Sequence, residues 1–291
     1  MREHSVSRPH GRTLRVREDG DPEGDPVFSF HGTPGCRFLY SKHVADARAR
    51  GVRLIGYDRP GYGGSTALPG RRVADVAGDV EAIADALHLE RFAVWGHSGG
   101  GPPALACAAL LPDRVVAASS LAGEAPPGAA GLDFTAGMGE ANREDYALMM
   151  SDRAAWERKV EEESAVIAHG TAEQLLALYR TLLSDVDRGA LTPELVAFLI
   201  AQGGEGLGHG GAGMRDDNLS SVTPWGFELT SVRVPLQLWH GAHDQMVPFA
   251  HGQWLAARLE HAEVHLEADE GHLSLYERRI PEVHEWLASK F

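Results

Sequence analysis

Residues 27–30, 52–57, 91–95 and 115–121 form four short, largely apolar runs. Runs of this length with little polar interruption predict strands buried on both faces, as in a parallel sheet. Between them the apolar spacing becomes helical. The stretch near Ser41 to Arg50, the positions Val73, Val76, Val80, Ile83, Ala84 and Leu87, and the Ala- and Leu-rich run 99–111 predict helices. Strand and helix in alternation give an α/β fold, a mostly parallel central sheet with helices on both faces.

The alternation stops at Ala125-Pro126-Pro127-Gly128 and resumes at Val234. Two core segments, 1–128 and 229–291, are therefore expected to flank an inserted segment, 129–228. Helices are predicted within it at 154–169, 172–184 and 193–202, the last with Thr192 as N-cap ahead of Pro193. Residues 203–213 hold seven glycines in eleven positions and are expected to form a mobile connection. Past the insertion, 234–240 and 262–267 predict strands, and 249–259 and 281–291 predict helices. No internal repeat points to a solenoid or propeller.

Composition narrows the function classes. The chain has 291 residues, 43% hydrophobic and 23% charged, which suits a large globular core and excludes disorder as the main state. Pro102 and Pro112 bracket the richest apolar run, so no stretch reaches the roughly 18 residues of a membrane helix. A formal charge of -14 repels a phosphate backbone or an anionic bilayer, so neither nucleic acid nor membrane is an expected partner. Cys36 and Cys107 are too few for a disulfide framework, and the start MREHSVSRPHGR has no apolar core of a secretory signal. A cytoplasmic protein with reduced thiols is expected, acting on a small molecule.

Gly96-His97-Ser98-Gly99-Gly100 follows a predicted strand and opens a predicted helix. A serine on such a turn is presented above the sheet edge, and small neighbours avoid clashes there. The helix start aims free N–H groups at any oxyanion forming beside the hydroxyl. A serine needs a base, and the base an orienting acid. His272 follows the last predicted strand, and Asp244 lies in the turn after the strand at 234–240, both at the carboxyl edge where open α/β sheets bind ligands. Glu124, after the strand at 115–121, is the competing acid. Position favours Asp244, since Glu124 stands at the insertion entrance ahead of Pro126 and is expected to face solvent.

Five motifs in order, H-G-T-P-G at 31–35, D-R-P-G-Y-G-G-S at 58–65, G-H-S-G-G at 96–100, H-G-A-H-D at 240–244 and G-H at 271–272, make the chain resemble the α/β-hydrolase superfamily over nearly its full length. The resemblance implies Ser98 as nucleophile, Asp244 as acid, His272 as base, and the backbone N–H groups of Thr33 and Gly99 as oxyanion hole. It also implies that 129–228 is a helical cap governing substrate choice. The expected activity is cleavage of a carboxylic ester or related acyl bond of a small, partly apolar substrate through an acyl-enzyme, with no cofactor.

Competing readings remain. Haloalkane dehalogenases and epoxide hydrolases carry Asp where this chain has Ser98, and proline iminopeptidases typically show G-G-S-W-G at the elbow. A cofactor-free oxygenase or a non-hydrolytic small-molecule binder would use the same fold. His240, His243 and Asp244 read as a turn rather than a metal site, and no metal is expected. Gly61, Gly63 and Gly64 lack dinucleotide-loop spacing, and 203–213 has no phosphate-cradling Lys. Cys36 is expected as a small buried hydrophobe, and Arg37, Arg59 and Asp58 as ion pairs that hold loops.

Overall fold

A computed structural model describes the backbone of residues 1–291 and every side chain except that of residue 172. Strands β1 (Arg2–Arg8), β2 (Arg12–Gly20), β3 (Asp25–Phe30), β4 (Val52–Tyr57), β5 (Phe92–His97), β6 (Val115–Leu121), β7 (Leu236–Gly241) and β8 (Glu263–Glu267) form one sheet in the order β1-β2-β4-β3-β5-β6-β7-β8. From β4 to β8 all neighbours are parallel. Phe30 pairs with Gly96, His97 with Leu121, and Leu121 with Trp239, so the carboxyl ends of four strands come level.

The helices are α1 (Ser41–Ala49), α2 (Asp75–Ala86), α3 (Gly101–Leu110), α4 (Glu140–Ser151), α5 (Arg153–His169), α6 (Ala172–Tyr179), α7 (Asp185–Ala190), α8 (Pro193–Leu207), α9 (Ala212–Ser221), α10 (Phe249–Ala256) and α11 (His272–Ala288). Successive strand residues face opposite sides. Phe28, Ile55 and Val94 pack toward α2, α3 and α10, whereas Val27, Leu54 and Trp95 pack toward α1 and α11. Both faces are covered, which is why these runs are apolar throughout.

The antiparallel hairpin of β1 and β2 was not among the expected elements. Its signal is the period-two alternation in which Leu14 and Val16 are buried between less buried Arg15 and Arg17. The mobile connection expected at 203–213 is corrected: α8 runs to Leu207 and α9 begins at Ala212. A Cβ at Gly206 would lie 2.3 Å from the Gly35 carbonyl oxygen, and one at Gly203 would lie 2.8 Å from Ile167. The glycines let α8 sit flush on its neighbours, and that packing outweighs a propensity cost of about 1 kcal/mol each.

The closing helix begins at His272 rather than at Pro281, which stands inside it. A proline there removes the donor for the Glu277 carbonyl. Lys42 of α1 supplies the missing donor at 2.9 Å, and His43 Nε2 lies 3.0 Å from the neighbouring Tyr276 carbonyl. At the start of α11, the N–H groups of Leu273 and Ser274 donate to Asp187 of α7 at 2.8 and 3.1 Å. Asp187 thus satisfies first-turn donors that a helix leaves open. Among the described residues no helix is long and apolar enough to cross a membrane.

Candidate active site

Ser98 sits between β5 and α3 with φ +56°, in the left-handed region. Such a backbone in a non-glycine residue is held by its surroundings. The tightness is visible at Gly96, where a Cβ would lie 1.9 Å from the Gly100 carbonyl oxygen. Ser98 itself is half-buried.

Asp244 follows β7 and His272 opens α11, and His272 Nδ1 lies 2.7 Å from Asp244 Oδ2. The other carboxylate oxygen, Oδ1, accepts the N–H groups of Met246 and Val247, both at 2.8 Å. Both side chains are buried. Burial opposes charge on His272, but the Asp244 carboxylate outweighs it and raises the imidazole above its ordinary value. Burial likewise opposes charge on Asp244, and His272, with smaller help from His240 and the Val247 N–H, holds it below the usual carboxylate range. His240 is engaged with the Val247 carbonyl at 2.8 Å and is pulled down by burial. His97 donates to the His272 carbonyl across 3.0 Å, and burial pushes its pKa down to about 3, so that ring is neutral. Among the described residues no hydrogen bond joins Ser98 Oγ to His272; the two meet across the cavity they both line.

Thr33 stands in the loop after β3. A Cβ added to Gly99 would lie 2.3 Å from Thr33 Oγ1 and 3.3 Å from Thr33 N, so the two loops are in contact. The Thr33 loop is clamped from two sides. Arg59 donates to the carbonyls of His31 and Gly32. Asp217 of α9 accepts from Thr33 Oγ1 at 2.7 Å, Tyr62 at 2.8 Å, Arg59 at 2.5 Å and Arg71 at 2.6 Å. Burial opposes its charge, yet the two guanidinium groups hold the Asp217 carboxyl far below the ordinary range.

Ser98, Thr33, Pro34, Ile167, Tyr179 and Met246 form a wall shared by two cavities. One, of about 370 Å³, is walled by Tyr40, Leu54, Trp95, Leu199 and Tyr276 and includes His272. The other, of about 240 Å³, holds Gly99, Asn142, Lys159, Asp217 and Glu124. The solvent-facing position expected for Glu124 is corrected: it is half-buried against α9 and lines this polar cavity. It does not reach His272, which is bonded to Asp244.

Residues 25–279 match the family model described as alpha/beta hydrolase fold. The chain belongs to that family. It is 24% identical over 277 residues to the AB hydrolase superfamily protein YisY of Bacillus subtilis, covering 95% of this chain and 94% of that one. It is 27% identical over 259 residues to a non-heme chloroperoxidase of Streptomyces lividans, covering 88% and 87%. Among solved structures, a thermophilic esterase from Thermogutta terrifontis superimposes over 100% of this chain and 99% of that one, with TM-score 0.72 and 21% identity, a likeness of fold.

In this α/β-hydrolase the charged residues around the loops act as expected. The Asp58 carboxylate accepts from Arg37 N at 2.7 Å, Arg37 Nη1 at 2.9 Å and Gly64 N at 3.1 Å. Cys36 is buried, and burial pushes its thiol far up, which suits a packing role. Asp187, Asp217 and Arg71 were missed. Their residue types and spacing resemble any solvated helix or loop charge, and a long-range partner leaves no local pattern.

Proposed function

We propose that this α/β-hydrolase cleaves a carboxylic ester, or a related acyl bond, of a small and partly apolar substrate through an acyl-enzyme on Ser98. The observation that carries the reading is the left-handed Ser98 turn, facing the cavity that His272 lines while Asp244 holds the far side of its ring. Ser98 Oγ attacks the carbonyl carbon and passes its proton to His272 Nε2. Asp244 keeps Nδ1 protonated and stabilises the imidazolium. The oxygen that gains charge is met by the N–H groups of Thr33 and Gly99. His272 then protonates the leaving oxygen, so the alcohol departs on the side of the apolar cavity and the acyl group lies toward Gly99 and the polar one. Water, deprotonated by His272, releases the acid and restores Ser98.

Residues 129–228 act in this reading as the cap that shapes both cavities. The buried free thiols of Cys36 and Cys107 fit a cytoplasmic site of action. The test is Ser98→Ala against wild type, with a graded panel of acyl esters and a serine-directed fluorophosphonate. Turnover and labelling are both expected to vanish in a folded variant; undiminished labelling would overturn the nucleophile.

A further inference from the structure

The two cavities differ in how their charges are matched. In the polar one, Asp217 answers Arg59 and Arg71, and Lys159 answers Asp145 at 2.9 Å and Glu163 at 3.4 Å. Asp79 has Arg8 and Arg12, and Asp75 accepts the Arg72 N–H at 2.7 Å. Among the described residues Glu124 alone of these carboxyls has neither a cation nor a backbone N–H. Its polar partner is the neutral Ser221 hydroxyl, which it shares with the Asn218 carbonyl 2.9 Å from that hydroxyl.

A carboxyl partly withdrawn from water without a counter-charge resists ionisation. Burial, with the like charge of Asp217 behind it, pushes Glu124 up to about 8. A cation delivered by a ligand would supply the missing partner. The same cavity is lined by Phe134 and Tyr146, stacked at 5.6 Å, and by Tyr179. Aromatic faces together with a carboxylate are the chemistry that receives ammonium groups.

We propose that Glu124 is the specificity residue of the acyl side, and that the acyl group it selects carries a positively charged nitrogen. The inference rests on the Ser98 reading for which arm is the acyl one. The apolar cavity then takes an uncharged alcohol, so the substrate is an ester with one cationic and one apolar arm.

The test uses the Ser98→Ala protein, which holds an ester uncleaved. Two esters of one naphthylmethyl alcohol are compared, one with an acyl chain ending in trimethylammonium, the other in its isostere tert-butyl, and dissociation constants are read by naphthyl fluorescence. The ammonium ester is expected to bind on the order of tenfold tighter. Adding Glu124→Gln is expected to bring the two within about twofold. Trimethylammonium does not titrate, so its affinity should also rise from pH 6.5 to 9 as Glu124 ionises, and rise by more than in the Glu124→Gln protein, where His272, itself raised above 6.5, still titrates.

Glu124 feels Asp217 of α9 most directly, and Arg59 and Arg71 line the same cavity; Asp217 is held far below that range and Arg71 above the ordinary value. Equal binding of the two esters, a preference that survives Glu124→Gln, or equally tight binding of a hydroxyl-ended ester would overturn the proposal. Fluorophosphonate labelling of the wild type reads the nucleophile separately. Labelling without ammonium preference defeats Glu124 alone, and ammonium preference without labelling supports the Glu124 site while defeating the nucleophile.

Discussion

Asp217 and Thr33, 184 residues apart in the chain, share a 2.7 Å hydrogen bond in which the threonine hydroxyl donates to the carboxylate. The partner of a core loop is thereby a side chain from the segment between β6 and β7. The same carboxylate holds Arg59, which itself grips the carbonyls of His31 and Gly32. The position of the Thr33 N–H, one of the two proposed oxyanion donors, depends on this arrangement.

Asp217→Asn keeps an acceptor for Thr33 but leaves Arg59 and Arg71 without their shared counter-charge. A buried pair broken on one side costs about 3–5 kcal/mol, and a lowered urea midpoint at pH 7 should show it. The Asp217 carboxyl is held below its unfolded value, so its contribution is present above about pH 3.9 and is lost as pH falls through the folded value. The gap between variant and wild type should therefore narrow toward acid. Ester turnover is expected to fall more in kcat than KM rises.

The base must be neutral to act, and His272 is raised above 6.5 by Asp244. The acid limb of kcat/KM is expected to rise with a midpoint above pH 6.5. In Asp244→Asn burial acts without the carboxylate, so the midpoint should move below 6.5. Turnover should drop by at least several hundredfold, since the corresponding change in serine proteases costs about 10⁴. A midpoint unmoved by Asp244→Asn would count against the pairing. Glu124→Gln is expected to leave that midpoint above 6.5.

Asp187 closes the first turn of α11 beside His272. Asp187→Ala removes the acceptor and should cost about 0.5–2 kcal/mol in denaturant unfolding, with a larger loss in kcat than in binding. Asp187→Asn retains an acceptor and should recover most of the kcat. Equal loss in both would assign the effect to charge instead of to helix capping.

Leu199 lines the apolar cavity. Leu199→Trp adds volume where the alcohol is proposed to lie, so kcat/KM for naphthylmethyl esters should fall at least tenfold relative to methyl esters of the same acid. A uniform loss across alcohols would place the alcohol elsewhere.

The strand ends that carry Ser98, Asp244 and His272 were legible because buried parallel strands write continuous apolar runs and their turns write glycine. The β1 and β2 hairpin was legible in principle from the alternation around Leu14 and Val16, but its polar-rich strands do not stand out against a loop. Gly203 and Gly206 misled because a glycine's value there lies in what it lets approach, the Gly35 carbonyl and Ile167, and those partners are distant in sequence. Pro281 misled in the same way: it reads as a helix start until Lys42 is seen to serve the carbonyl it frees. Glu124 was placed at the right strand end, yet its burial depends on how α9 folds back.

Asp187 and Asp217 also bear on how such chains recombine. Both belong to the segment between β6 and β7, and each finishes a loop of the sheet domain, one at His272 and one at Thr33. A chimera that receives this segment from a relative inherits two open sockets, a guanidinium pair and a bare helix start, unless the donor brings an acidic side chain to each. Changes in the walls of the segment leave both contacts standing, whereas a transplant lacking either acid would also disturb the Thr33 loop and the start of α11.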